Sequence, residues 1–147
     1  MSTVTISNFN NEMPFFELLP VVDGFIKGGS IDDRLYEIEL FNYDLLERAY
    51  NLKAIKIILI KNDEEVVGAC IGQININLFN EDDVYFNVYS IYIGKMFRGG
   101  KTLLRALKLI GKELKNTPFG VKDFVFCFKA GKKTFGKVCD VLTRVRI

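Results

Sequence analysis

One stretch constrains this chain more than any other: Ile91-Tyr92-Ile93-Gly94-Lys95-Met96-Phe97-Arg98-Gly99-Gly100-Lys101-Thr102-Leu103-Leu104. An apolar, β-branched run stops at an Arg-Gly-Gly-Lys-Thr turn, and an amphipathic helical pattern starts directly after it. A strand that passes through a glycine-bearing turn into a helix gathers unpaired backbone N–H groups at one point. Such a cluster suits a phosphate or pyrophosphate.

The rest of the sequence limits what that phosphate chemistry can be. The 147 residues contain no histidine, which excludes Ser-His-Asp, Cys-His and HExxH chemistries and removes the commonest metal ligand. The three cysteines, Cys70, Cys127 and Cys139, form no CxxC pair. They read as thiols of a reducing compartment, with no disulfide framework and no metal site. No apolar run reaches the roughly 18 residues of a membrane span. The start, Met1 to Thr5, lacks the basic flank and apolar core of a signal peptide. A cytoplasmic protein, one domain over 1–147, is the expectation.

Net charge is only +2, but it is split along the chain. Residues 1–94 carry six Lys/Arg against fifteen Asp/Glu, whereas residues 95–147 carry fourteen against three. The C-terminal third is therefore the anion-attracting part.

Periodicity gives the elements. Thr3–Phe9 alternates as a strand, Phe15–Ile26 reads as a helix ended by Gly28-Gly29, and Ile31–Tyr50 reads as a second helix. Ala54–Ile60 and Val66–Leu78 form a hairpin around Lys61 to Glu65, and Gly68 and Gly72 mark a bulge or a close backbone approach. Asn80 to Asp83 reads as a turn, Val84–Ile93 as a strand and Leu103–Leu114 as a helix. In that helix Leu103, Leu104, Leu107, Ile110 and Leu114 make an apolar stripe, with Lys101, Arg105, Lys108, Lys112 and Lys115 on the other side. Asp123–Lys129 is a strand, Lys133–Leu142 a short helix and Arg144–Ile147 a last short strand.

This element order, together with the Arg-Gly turn, resembles the GCN5-related N-acetyltransferase family. The family's motif is a strand ending in Val-x-Pro-x-Tyr-Arg-Gly-x-Gly-x-Gly/Ala, followed by a helix. Ile93 stands at the valine, Phe97 at the aromatic and Arg98-Gly99 at Arg-Gly. With one residue deleted, Gly100 takes the middle glycine and Thr102 the final small residue, while Lys95 replaces the proline. The resemblance implies an α/β (α+β) single-domain acyl-CoA N-acyltransferase-like fold. Its sheet would be mixed and mostly antiparallel, flanked by helices, with a shortened C-terminal hairpin. It also implies that Arg98, Gly99, Gly100, Lys101 and Thr102 hold the pyrophosphate of acetyl-CoA, and that Ile91, Tyr92 and Ile93 run alongside its pantetheine arm.

Counting along the family's last-helix pattern, Asn-x-x-Ala-x-x-x-Tyr, sets Lys132 at the asparagine, a cofactor position, and Cys139 at the proton-donating tyrosine. The family's general base is commonly a carboxylate on the strand before the turn. The nearest acids here are Glu81, Asp82 and Asp83, of which Asp83 is the candidate. The implied activity is transfer of an acetyl group from acetyl-CoA to an amine. The alternative is a non-enzymatic assembly component with the same fold, such as a bacteriophage virion protein. With one closing strand where the family has two, a sheet edge would stay open, and this edge and the charge split point to association with other protein chains.

Two rivals are weaker. A P-loop, GxxxxGK[ST], needs glycine at position 95, which is Lys95. Nucleic-acid binding by the basic third lacks a helix-turn-helix, RRM or KH signature, which leaves only non-specific electrostatic contact.

Overall fold

In a computed structural model, which describes residues 3–27, 43–97, 100–134 and 137–147, six strands form one sheet in the order β1-β2-β3-β4-β5-β6. They are β1 (Val4–Ser7), β2 (Lys56–Asn62), β3 (Glu65–Asn77), β4 (Asn80–Ile93), β5 (Asp123–Thr134) and β6 (Lys137–Arg146). The helices are α1 (Phe15–Lys27), α2 (Tyr43–Asn51) and α3 (Thr102–Lys115), with a 3-10 turn over Lys95–Phe97. Every neighbouring pair is antiparallel except β4 and β5, which run parallel, with α3 as the crossover between them.

The two faces of the sheet are apolar for different helices. Ile57, Leu59, Ala69 and Ile71 pack with Leu18, Val22 and Tyr50 of α1 and α2. Ile58, Cys70, Phe86 and Val88 pack on the other face with Ile110 and Leu114 of α3. The β-branched runs of β2 and the centre of β3 are buried on both faces, as strands between two helix layers must be. The α3 stripe read from sequence is partly core, because Ile110 and Leu114 are fully buried while Leu103 and Leu104 are 41% and 55% exposed.

The segment before α1 is fixed by side-chain amides. Asn8, at φ 63°, donates from Nδ2 to Tyr50 Oη (3.0 Å) and Ile57 O (2.8 Å), and its Oδ1 accepts from Met13 N (2.8 Å). Asn11, at φ 56°, donates to Tyr50 O (3.1 Å) and Ile55 O (2.7 Å). Asparagine tolerates the left-handed region, and these bonds satisfy backbone carbonyls that burial would otherwise strand.

Two expectations change, and a third is met over its described residues. Lys133–Leu142 is not a helix: Thr134 ends β5, and β6 runs from Lys137, pairing Lys133 with Val138 and Phe128 with Val141. Val138 and Val141 are β-branched, and β5 offers them a ladder that an isolated ten-residue helix lacks. Asn80 to Asp83 is not a turn. The turn is Leu78-Phe79, and Asn80 already pairs with Asn77. Asn77 Oδ1 accepts from Phe79 N (2.9 Å), so the asparagine before the apex sets the reversal. Of Ile31–Tyr50, the described helix is Tyr43–Asn51, and residues 31–42 lie outside the described residues.

Candidate active site

The parallel pairing of β4 with β5 is short. It runs from Tyr85↔Asp123 to Val88↔Phe126 and stops there, although β4 continues to Ile93 and β5 to Thr134. The two strands therefore diverge at Val88. A bulge lies at the same point: Ile71 pairs with Ser90 and Gly72 with Val88, which leaves Tyr89 as the extra residue. The Tyr89 hydroxyl donates to Gln73 Oε1 across the strand pair.

Glycine makes the bulge possible. A Cβ on Gly72 would stand 2.4 Å from Phe86 Cζ, and one on Gly68 would stand 2.0 Å from Tyr92 O. Both strands approach where a side chain would hold them apart. The expectation of a bulge or a close backbone approach is met by the close approach at both glycines and by the bulge beside Gly72.

β4 leads from the divergence into Gly94, whose N–H donates to Val67 O (2.7 Å), then through the 3-10 turn towards α3. Lys101 precedes α3, and among the described residues no side-chain cap hydrogen bond closes the start of the helix. Gly100 has no atom within 4 Å of where a Cβ would stand. Lys101 is exposed and Thr102 half-buried. Arg98 and Gly99 lie outside the described residues. A cavity of about 420 Å³ adjoins the end of β4, between α1 and the 3-10 turn, with Val21, Gly24, Gly68, Tyr92 and Phe97 among its walls.

The structure places Asp83 elsewhere. It sits near the start of β4, ten residues before Ile93, which is roughly 30 Å along an extended strand. There its carboxylate accepts from Arg144 Nη2 and from Asn77 Nδ2 (3.1 Å). Arg144 also donates from Nε to Asp123 Oδ2 (2.8 Å), and Arg146 Nε lies 3.2 Å from Asp123 Oδ1. The Asn77 and Arg144 hydrogen bonds hold the Asp83 carboxyl below its ordinary range. Asp83 thus ties the β3–β4 hairpin to β6 and does not reach the divergence. Lys132 lies on β5 and Cys139 on β6, and only their backbone is described. The helix on which the tyrosine match was counted is a strand here. The sequence alone does not single out Tyr89; its place at the bulge depends on register, which the alternation of residues does not disclose.

Solved acetyltransferases superpose on this chain at low sequence identity. The chain has the acetyltransferase fold. An aminoglycoside acetyltransferase from an uncultured soil metagenomic sample superposes with TM-score 0.62 at 12% identity, over 90% of this chain and 82% of that one. RimL, a ribosomal-protein acetyltransferase solved in complex with coenzyme A, matches with TM-score 0.58 at 13% identity over 89% of each chain. A probable acetyltransferase from Staphylococcus epidermidis matches with TM-score 0.55 at 16% identity, over 88% and 74% of the two chains. No protein-family profile and no curated protein sequence matches the chain. In the acetyltransferase fold seen here, the described residues contain no group of three or more His, Cys, Asp or Glu able to hold a metal ion, and no helix long and apolar enough to cross a membrane.

Proposed function

We propose that this protein transfers an acetyl group from acetyl-CoA to an amine, in the cytoplasm, with the thioester seated where β4 and β5 part. The divergence at Val88 carries this reading, because it opens an extended backbone edge beside the bulge. The pantetheine arm is an amide chain, so it can lie along Ile91, Tyr92 and Ile93 as a further strand. The pyrophosphate then meets the residues from Arg98 to Thr102 and the N-terminus of α3, where unpaired N–H groups and Lys101 favour negative charge.

In this reading the amine attacks the thioester carbonyl carbon as its neutral form. Its nitrogen forms the new C–N bond, and N–H groups around Ile93 polarise the carbonyl oxygen. The C–S bond then breaks. The thiolate takes a proton from the Tyr89 phenol, a donor at the bulge, and the nitrogen loses its proton to water. Among the described residues, β4 carries no carboxylate beyond Asp83, which is engaged with Arg144. The acceptor approaches over the polar sheet face formed by Gln73, Asn87 and Tyr89.

Calorimetry with coenzyme A and acetyl-CoA tests the site. Gly100→Val adds a side chain into open space, so the fold should persist while phosphate approach is blocked. The unmodified protein should bind either ligand, and the variant should lose binding by tenfold or more. Absence of binding at millimolar ligand would leave the fold as a scaffold for an assembly component, the alternative reading.

A further inference from the structure

Two apolar surfaces lie outside the divergence, and they carry opposite charge. The first is the apex of the β3–β4 hairpin. Leu78 and Phe79 are 95% and 97% exposed, and Ile76 below them is half exposed. A lone exposed leucine is ordinary, but two large hydrophobic side chains at a two-residue turn replace the Gly, Asn or Asp that such turns take. The apex is held in shape by Asn77, through its bond to Phe79 N, and by Asn80, whose Oδ1 accepts from Asp82 N (3.2 Å). The exposed Glu81 and Asp82 follow directly.

The second surface is a groove of about 560 Å³ between α3 and the β5–β6 hairpin. Its floor includes Leu104, Leu107, Phe126 and Val145. Its rim carries Lys108, Lys112, Lys115 and Arg146, and no carboxylate is among its described walls. The groove exists because α3 packs towards the centre of the sheet through Ala106, Ile110 and Leu114, and among the described residues no helix covers the side where β5 passes to β6.

We propose that the groove receives the hairpin apex of a second copy of this chain. Leu78 and Phe79 fill the apolar floor, and Glu81 and Asp82 come to lie beside Lys112 and Lys115. The apex supplies what the groove lacks, apolar bulk together with carboxylates. It extends the plane of its own sheet, so it meets a groove only on another molecule. Apex and groove are different surfaces. Reciprocal exchange between two copies closes a dimer, and one-way insertion builds longer assemblies. The charged part of the contact weakens as salt screens it.

Sedimentation of the full chain, across protein concentration and at low and high salt, tests this. The protein should self-associate, with its mean mass falling as salt rises. Leu78→Ser with Phe79→Ser should be monomeric, as should Lys112→Glu with Lys115→Glu, each retaining the circular dichroism of the unmodified chain. Mixed together, these two variants should form a 1:1 pair, because one keeps a groove and the other an apex. An unmodified protein that stays monomeric to millimolar concentration at low salt overturns the proposal. So does an apex variant whose mass equals that of the unmodified chain, or a mixture that remains monomeric.

Discussion

The ring of Phe86 occupies the space beside Gly72 that a side chain would need. Its Cζ lies 2.4 Å and its Cε1 2.5 Å from where a Cβ on Gly72 would stand. Phe86 is fully buried and meets Phe124 edge-on at 6.2 Å between centroids, so it has little freedom to yield. Gly72→Ala should therefore cost about 1–3 kcal/mol in denaturant unfolding, the usual range for overpacking. Phe86→Leu alone also destabilises, by removing ring atoms. Combined with Gly72→Ala it should cost less than the two single losses added together, since the contact with the ring is relieved while the 2.7 Å contact with Asn87 O remains. Additive losses would mean that the ring and the glycine do not share this space.

The Asp83 brace links stability to acid. Its folded value is depressed by the Asn77 and Arg144 hydrogen bonds, so its contribution is complete above the ordinary carboxylate value of about 4 and is lost as pH falls through the lowered one. Asp83→Asn should flatten the stability change of the chain below about pH 4 and leave acetyl transfer at neutral pH untouched. A large loss of turnover with unaltered acid stability would return Asp83 to the chemistry.

Cys70 is fully buried between the sheet and α3, and burial pushes its thiol up to about 12. The thiolate is the reactive form, so Cys70 should resist thiol reagents at pH 8 and react only when the protein unfolds. Mass-spectrometric mapping of the labelled peptides, with and without denaturant, reads this directly. Prompt native labelling at Cys70 would show that the α3 layer opens easily.

The two candidate proton donors separate by turnover. Tyr89→Phe keeps the bulge and the ring but removes the hydroxyl. It should lower kcat by roughly a hundredfold, within the span typical of a lost general acid, with coenzyme A affinity unchanged. Cys139→Ala should keep most activity, because its match to a helical tyrosine falls on strand β6. The reverse pattern would make the Cys139 thiol the donor.

Much of this architecture is written in local pattern. The β-branched run of β2 and the alternation of Val84, Phe86 and Val88 announce strands because the side-chain period of a strand is two. The α3 stripe announces a helix for the corresponding reason. Gly68 and Gly72 signalled a departure from regular pairing, and the bulge stands beside Gly72. What stayed hidden depends on partners distant in sequence. Nothing near Val138 says that β5 waits to pair with it, so a strand reads as a short helix. Nothing near Val88 says that its parallel pairing ends there. Asp83 looked like a free acid because Arg144, sixty-one residues away, is invisible to a local window.

The single parallel pair in the sheet also bears on how the chain assembles. The β2–β3, β3–β4 and β5–β6 pairs each close through a tight connection, and their contacts form at small entropic cost. The four-residue register from Tyr85 to Val88 is different, because it forms only after α3 has been laid across the sheet between its two partners. Folding should accordingly proceed from two hairpin systems that mature separately, with their docking as the slow step. The opening proposed as the ligand site is then the part of that docking that never zips shut.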